Sequence, residues 1–430
     1  MYSVAVVGLG KIGLALAAQY ADKGQRVIGC DINPTVVELT NRGEVPLYSE
    51  PGLAERVASA HTAGRLSATT ETQKAVAQSD VVVVIVPLVV DQSGSPDFSA
   101  LDLATAAIAR GLRSGALVIY ETTLPMGTTR GRFGPMLEQS GLRMGVDFGL
   151  AFSPERVLVG RTFHDLRTYP KVVGGITPES TDAATRFYRT VLDAEILVMP
   201  DSETAEFVKL AETTYRDVNI ALANELARFA DSRGVDASAA FRAANTQPYS
   251  HLHQAGVGVG GHCIPVYPRF LLAHDKHAEL GLVRRARQIN DGMAKYVVDA
   301  IEEHLGTLHD KRVLVLGLAY RPGQKEASFS SALLLLDVLR TRGARTFLHD
   351  PLFSETEIAG YGVEPAFLES PPPVHAVIVQ TGHPEYLDLD WSRFQGLCVV
   401  VDGRNVLDAA AVKHAGAAYM GIGTGTGPRR

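Results

Sequence analysis

Val4-Ala5-Val6-Val7 runs straight into Gly8-Leu9-Gly10-Lys11-Ile12-Gly13, and that junction constrains the fold more tightly than any other stretch. Gly8 admits a tight turn out of a strand. Gly10 leaves the backbone bare where a phosphate would approach, and Gly13 lets the next helix pack closely on the strand. A helical pattern follows from Leu14 to Lys23, and a second strand, Val27–Cys30, ends in Asp31. The N–H groups at Lys11 and Ile12 open that helix and face a phosphate. Asp31 can accept hydrogen bonds from a ribose diol, and its charge repels a 2′-phosphate, which favours NAD over NADP. The plainer alternative is a glycine turn inside an ordinary α/β core.

The alternation continues beyond the turn. Buried strands are expected at Val81–Val86, Leu117–Tyr120 and Gly149–Phe152, with helical patterns between them. The whole run Val81 to Val90 reads as buried parallel strand; Pro87 interrupts it, and it is far too short to span a bilayer. Strands alternating with helices mean an α/β, doubly wound parallel sheet, so residues 1–200 are expected to form a dinucleotide-binding domain. Asp201 or Ser202 can cap a helix that runs to about Arg233 and stops at Gly234, roughly 45 Å long. Phe207, Leu210, Thr214, Val218, Ala221 and Leu222 give it an apolar stripe, while Glu206, Lys209, Thr213 and Arg216 fall on another face. So long a central helix is expected to join domains and a second subunit, within a region spanning 201–305. Val313–Gly317 then begins a second strand and turn. Strands ending at His349-Asp350-Pro351 and at Ala376–Val379 and Val399–Asp402 repeat the α/β plan over 306–420, without the full glycine fingerprint. Residues 421–430, rich in Gly and Thr, are expected to be a disordered tail.

Composition narrows the partners. A chain of 430 residues exceeds one hydrophobic core, and a net charge of −6 gives no electrostatic reason to expect nucleic acid or an anionic membrane. Any phosphate must be held by local groups. Cys30, Cys263 and Cys398 cannot make a disulfide framework and fit a reducing compartment. Met1 leads directly into the first strand with no basic region or cleavage site, so a cytoplasmic protein is expected.

Cys30 and Cys398 sit in apolar runs and read as small buried hydrophobes. Cys263 does not. It ends the run Gly256-Val257-Gly258-Val259-Gly260-Gly261-His262-Cys263-Ile264-Pro265, a loop able to close on a ligand with few side chains in the way. That setting points to a nucleophilic thiol. His262 shapes the loop rather than serving as a base. His251, His253, His262 and Cys263 lack zinc-ligand spacing, so no metal is expected.

This glycine-cysteine loop, the run Lys209–Glu225, Glu121-Thr122-Thr123-Leu124-Pro125-Met126-Gly127-Thr128, Ser153-Pro154-Glu155-Arg156 and Gly317-Leu318-Ala319-Tyr320-Arg321-Pro322 together resemble the UDP-glucose/GDP-mannose dehydrogenase family. The matching segments keep the family's order from residue 4 to about 405. The resemblance implies two Rossmann-like doubly wound domains joined by a long central helix, in a homodimer. It implies NAD-dependent, four-electron oxidation of the C6 hydroxyl of a nucleotide sugar to a carboxylate. Carried over by position, Cys263 is the nucleophile, Lys209 the active-site lysine, Thr123 the catalytic threonine, which also lies on the cofactor side, and Glu155 the acid/base glutamate. Glu155, Arg156, Lys209, Thr213, Gly260, Arg321 and Arg404 fall on the substrate side. Tyr249, His251 and His253, just before the loop, are candidates for selecting the sugar. The run Gly260-Gly261-His262-Cys263-Ile264-Pro265 looks closer to the branch acting on UDP-N-acetylhexosamines than to the UDP-glucose branch.

Several positions depart from the family pattern. Tyr267 stands where the loop's usual aspartate belongs, and Thr213 replaces an asparagine one turn after the lysine. Arg321 replaces a lysine, while Lys325 and Ser328 replace acidic and arginine positions. Tyr267 and Thr213 leave open a nucleotide-sugar binder that has lost catalysis, and the Rossmann-plus-helical-domain plan leaves open a hydroxyacid dehydrogenase making a single oxidation without a thiol.

Overall fold

The computed structural model describes residues 1–46, 50–91 and 94–427. The chain forms two compact units, Met1–Glu212 and Thr213–Arg430, and the division falls inside the helix Ser202–Ser232.

In the first unit the strands, in chain order, are β1 (Ser3–Val7), β2 (Arg26–Cys30), β3 (Leu66–Thr69), β4 (Val81–Val84), β5 (Val89–Val90), β6 (Pro96–Asp97), β7 (Leu117–Tyr120), β8 (Gly149–Phe152), β9 (Lys171–Gly175) and β10 (Ile196–Val198). All but β5 and β6 form one sheet, ordered β10-β9-β8-β7-β4-β1-β2-β3. Neighbours are parallel except β8 and β9, which run antiparallel. The order reverses between β1 and β4, and in such a sheet the crevice at the reversal receives the ligand. Both faces carry a buried apolar cluster, one around Val4, Leu14, Tyr20 and Phe187, the other around Val82, Tyr120, Phe133 and Phe152. That is why the strands read as continuous apolar runs.

One expected strand is shorter than its apolar run. Only Val81–Val84 joins the sheet; Val89–Val90 pairs antiparallel with Pro96–Asp97 instead. Just past the strand the backbone lies against the glycine turn: a Cβ on Gly8 would sit 3.1 Å from the Ile85 carbonyl oxygen.

In the second unit β11 (Arg312–Leu316), β12 (Arg345–His349), β13 (Glu364–Pro365), β14 (Ala376–Val379), β15 (Val399–Asp402) and β16 (Ala418–Gly421) form a parallel sheet, ordered β13-β12-β11-β14-β15-β16. This is the same doubly wound plan, so the α/β architecture with two Rossmann-like sheets stands.

Asp201 caps the long helix, its Oδ1 accepting the Thr204 N–H at 2.7 Å. Its faces differ from the amphipathic expectation. Phe207 and Leu222, assigned to the apolar stripe, are exposed, while Glu206, Lys209 and Thr213 are buried. A polar face turned inward needs partners, and here it carries candidate site residues.

The expected disordered tail is corrected for residues 421–427. Asp231, near the end of the long helix, accepts N–H groups from Gly423 (2.9 Å) and Gly425 (3.0 Å) and the Tyr296 hydroxyl (2.8 Å). Asn405 brackets Ile422 from both sides of its peptide. The glycines are needed for that fit: a Cβ on Gly423 would lie 2.7 Å from the Ala227 Cβ. A buried carboxylate gathering backbone donors fixes a segment that composition alone would leave loose. Residues 428–430 lie outside the described residues.

Cys398 is likewise not the buried hydrophobe expected. It lies just before β15 and is exposed, whereas Cys30 is buried.

Candidate active site

At the start of the first unit, Gly8 takes φ +96° and donates its N–H to Cys30 O at 2.8 Å. A Cβ on Gly13 would overlap the Gly8 carbonyl oxygen, so that glycine is demanded by packing. A Cβ on Gly10 would meet nothing, and no side chain caps the helix Lys11–Asp22 that Gly10 precedes. The backbone at Gly10, where the helix begins, is thus open to the approach of a pyrophosphate. Asp31 Oδ2 accepts the Leu9 N–H at 2.8 Å and Oδ1 the Asn33 N–H at 2.9 Å, fixing the carboxylate beside the turn while part of it stays exposed. These residues fit NAD.

The acid/base candidate sits where three strand ends meet. Glu121 directly follows β7, and Glu155 lies just beyond β8. Because β9 runs the other way, its first residue, Lys171, arrives at the same edge. Lys171 Nζ donates to Glu121 Oε2 at 2.6 Å and to Glu155 Oε2 at 3.1 Å. Glu121 Oε1 accepts hydroxyls from Tyr20 (3.0 Å) and Tyr188 (2.7 Å). Glu155 Oε1 accepts the Arg156 and Val157 N–H groups at 2.6 and 2.9 Å. Glu121 is fully buried, and the Glu155 side chain is 11% exposed. Burial raises Glu121 to about 7 against the pull of Lys171. Burial acts on Glu155 too, but Lys171, Glu121 and the Val157 N–H outweigh it and hold Glu155 below the usual glutamate range. Thr123, also buried, is two residues past Glu121.

Lys171 and Glu121 were missed as site residues. The available signal was a lysine opening the apolar run Lys171-Val172-Val173-Gly174-Gly175, a place where an unpaired charge would be costly.

On the long helix, Glu212 accepts from Arg156 Nε at 2.9 Å and stands 3.9 Å from Lys209 Nζ, so Glu155, Arg156 and Lys209 gather within the first unit. Glu206 accepts from Gly127 N and from Thr129 N (2.8 Å) and Oγ1 (2.7 Å), tying down the loop after Thr123; burial nevertheless raises it to about 7.

The second unit assembles the glycine loop against its own sheet. A Cβ on Gly260 would lie 2.7 Å from the Tyr320 Cβ, and one on Gly258 3.0 Å from the Ser331 Cβ. Gly261 takes φ +95° against the Tyr320 ring and donates to Ser328 O at 3.0 Å. The loop ends at Cys263, exposed, with its Sγ 3.7 Å from the Tyr267 hydroxyl. Tyr267 begins the helix Tyr267–His274, which turns its phenol back to the thiol where the family pattern has a carboxylate. His262 faces Glu326 at 3.6 Å.

Arg404 donates from Nε to Gln380 O at 2.6 Å and toward Gly258 O at 3.4 Å. Burial pulls its guanidinium down to about 10, with Asp402 opposing. Arg321 lies over the Tyr320 ring, and its Nε is buried without a hydrogen-bond partner. Two guanidiniums beside a bare loop suit phosphate. Lys325, which reverses a family charge, is paired with Glu357 at 2.7 Å, and Ser328 Oγ donates to Glu326 at 2.6 Å. Of the sugar-selecting candidates, Tyr249 and His251 are exposed. His253 is half-buried, and burial with Arg216 lowers its pKa. Among the described residues no group of three or more His, Cys, Asp or Glu is placed to hold a metal ion, and no helix is long and apolar enough to cross a membrane.

A dinucleotide-type glycine turn in the first unit and, in the second, a thiol ending a glycine loop with two guanidiniums beside it fit a dehydrogenase of nucleotide-linked substrates. Three domain profiles of the UDP-glucose/GDP-mannose dehydrogenase family match: the NAD binding domain over residues 2–192, the central domain over 203–292 and the UDP binding domain over 314–409. The chain belongs to this family and is an NAD-dependent nucleotide-sugar dehydrogenase. It is 35% identical to a UDP-N-acetyl-D-mannosamine dehydrogenase of Pyrococcus horikoshii over 98% of this chain and 99% of that one. An NDP-N-acetyl-D-galactosaminuronic acid dehydrogenase of Ralstonia nicotianae is 33% identical, covering 95% and 97%. The solved structure of a UDP-glucose dehydrogenase from Pyrobaculum islandicum superposes with a TM-score of 0.86 at 33% identity, covering 98% of each chain. Membership in this family sets aside the hydroxyacid dehydrogenase reading.

Proposed function

We propose that this protein oxidises the C6 hydroxyl of a UDP-sugar to the uronate through a thioester on Cys263, and that the sugar is an N-acetylhexosamine such as N-acetylmannosamine. The observation that carries this reading is the exposed thiol at the exit of a glycine loop packed on Tyr320, in the unit that also presents Arg321 and Arg404. The choice of sugar is supported by the Gly260–Pro265 run and by the name of the Pyrococcus relative.

Two NAD molecules, bound in turn, would supply one hydride acceptor for each of the two oxidations. Between them, the Cys263 thiolate adds to the C6 aldehyde; a C–S bond forms and the carbonyl oxygen becomes an alkoxide for the Lys209 charge to stabilise. Loss of the second hydride leaves a thioester. Glu155, with Thr123, takes a proton from a water as its oxygen adds to the thioester carbon, and the C–S bond then breaks to release carboxylate and restore the thiol. Arg156, Thr213, Tyr249, His251, His253 and Gly260 serve the sugar side.

In the same reading, residues 1–200 bind NAD, 201–305 carry the cysteine loop and the subunit contact, and 306–420 bind the nucleotide. Tyr215, Leu222, Leu226 and Phe229 form an exposed apolar stripe along the long helix, which supports a homodimer through that face. Three unpaired cysteines support a reducing cytoplasm as the place of action.

The deciding experiment is stoichiometry. About two NADH per UDP-N-acetylmannosamine consumed are expected, with Cys263→Ala abolishing uronate formation. One NADH and a stable aldehyde would defeat the thioester. Calorimetric binding with no NAD reduction across UDP-, GDP- and dTDP-sugars would instead mark a binder without catalysis.

A further inference from the structure

Lys171 is a buried cation shared by two carboxylates of unequal setting. Glu121 is enclosed beneath it by Tyr20 from the first helix and Tyr188 from the helix Pro178–Val191. Glu155, the other carboxylate, is partly exposed and takes the Arg156 and Val157 N–H groups on its other oxygen, while the neighbouring Arg156 side chain is engaged by Glu212 and Lys209 stands near that same glutamate. Asp165, the remaining nearby acid, is occupied by the Leu158 N–H and Arg161. Among these groups, Lys171 is the cation that donates directly to the Glu155 carboxylate.

We propose that Lys171, clamped by Glu121 under its two tyrosine hydroxyls, is the positioning residue that holds Glu155 in one orientation and ionised, ready to accept the proton of the hydrolytic water. This rests on Glu155 being the acid/base group. The proton accounting is closed within the cluster. The water gives one proton to Glu155 Oε as its oxygen bonds to the thioester carbon, and Lys171 keeps all three of its own. With Glu121 ionised, the arriving proton cancels the one excess negative charge, and a neutral Lys171–Glu121 pair remains. With Glu121 protonated, the same transfer leaves Lys171 uncompensated in a buried site, so Glu155 is the weaker base. Glu121 thereby sets the strength of Glu155 without touching substrate. The opposite displacements of the two carboxylates, Glu121 raised and Glu155 lowered, agree with that division.

The test is the pH profile of kcat for uronate formation in the full-length enzyme with NAD and the best UDP-sugar. Lys171→Met is expected to move the acid limb up by about one pH unit or more and to lower kcat at neutral pH by about tenfold. Lys171→Arg, which keeps the cation, should restore most of both. Glu121→Gln should move the limb the opposite way, because the whole lysine charge then falls on Glu155. A structural role alone would not drive two buried substitutions in opposite directions. Should Lys171→Met fail to fold, the Arg and Gln variants decide the matter, with NAD binding as the folding control. Limbs that coincide with the parent in these variants overturn the inference. Retention of uronate formation by Glu155→Gln overturns the acid/base reading beneath it, and so both.

Discussion

The two sheets of this protein make the same first turn and then continue differently. Gly8 ends β1 at φ +96° and Gly317 ends β11 at φ +105°, each donating its N–H to the last residue of the neighbouring strand, Cys30 at 2.8 Å and His349 at 2.7 Å. In each, an aspartate just beyond that strand accepts N–H groups from the turn: Asp31 from Leu9, Asp350 from Leu318 (2.7 Å) and Ala319 (2.8 Å). The next few residues part company. Gly13 lets a helix begin at Lys11, directly at the strand end, whereas Pro322 holds the corresponding place in the second turn and the helix waits until Ser331. The interposed segment carries Tyr320 and Arg321. One half thus opens a helix directly at the turn, and the other places side chains there.

The glycines should separate the halves most strongly. Gly13→Ala forces a Cβ onto the Gly8 carbonyl and is expected to cost about 3 kcal/mol or more and to abolish NAD binding. Gly317→Ala, strained by its φ and pressed on Thr381, should cost a similar amount, about 3 kcal/mol, yet leave NAD affinity intact below its melting temperature. Thermal unfolding and NAD calorimetry distinguish the two; equal loss of NAD affinity would break the division of labour. Gly10→Ala should weaken NAD binding with almost no change in Tm.

The aspartates come next. Asp350 is 2% exposed and also receives His383 Nε2 at 3.2 Å, so Asp350→Asn should cost about 2 kcal/mol and spare NAD. Asp31 keeps an open edge, so Asp31→Asn should cost only about 1 kcal/mol of stability but about tenfold in NAD affinity.

Acid and base should strain the halves in opposite senses. Glu121, raised by burial from 4.5 to about 7, favours the folded state most below its ordinary value, and that contribution is lost as pH rises through about 7. Glu121→Gln should therefore gain Tm relative to the parent between roughly pH 5 and 8. For Asp350, burial alone would raise the carboxyl, but hydrogen bonds from His383 and the backbone hold it low. Its contribution is present above the ordinary aspartate value and lost as pH falls through the depressed one, so the Asp350→Asn deficit should shrink in acid. Trp391, the single tryptophan, is buried in the second half and reports that loss by fluorescence.

The cysteines give the smallest contrast. Cys30 is buried, and burial pushes its thiol up to about 12; Cys30→Ser should cost about 1–2 kcal/mol. Cys398→Ser should stay within about 0.5 kcal/mol.

Much of this was legible in residue order. The strands at Leu117–Tyr120, Gly149–Phe152, Ala376–Val379 and Val399–Asp402 lie where their apolar runs placed them, and the glycine turn opens a helix as its spacing requires. Periodicity and turn chemistry are local properties, so a linear string carries them. The string also marked Cys263 as unlike the other thiols, because four glycines before it serve no ordinary core.

What the tertiary structure decided are meetings between residues far apart in the chain. Lys171 reaches Glu121 and Glu155 only because β9 runs antiparallel to β8, a direction no local pattern encodes. Asp231 captures residues 423 and 425 across most of the second unit, turning an apparent tail into a fixed loop. The long helix turns Glu206 and Lys209 inward and Phe229 outward, since the polar groups find partners inside and the apolar one does not. A buried charge is stable only beside its complement, and which complement is near depends on how the chain has closed on itself.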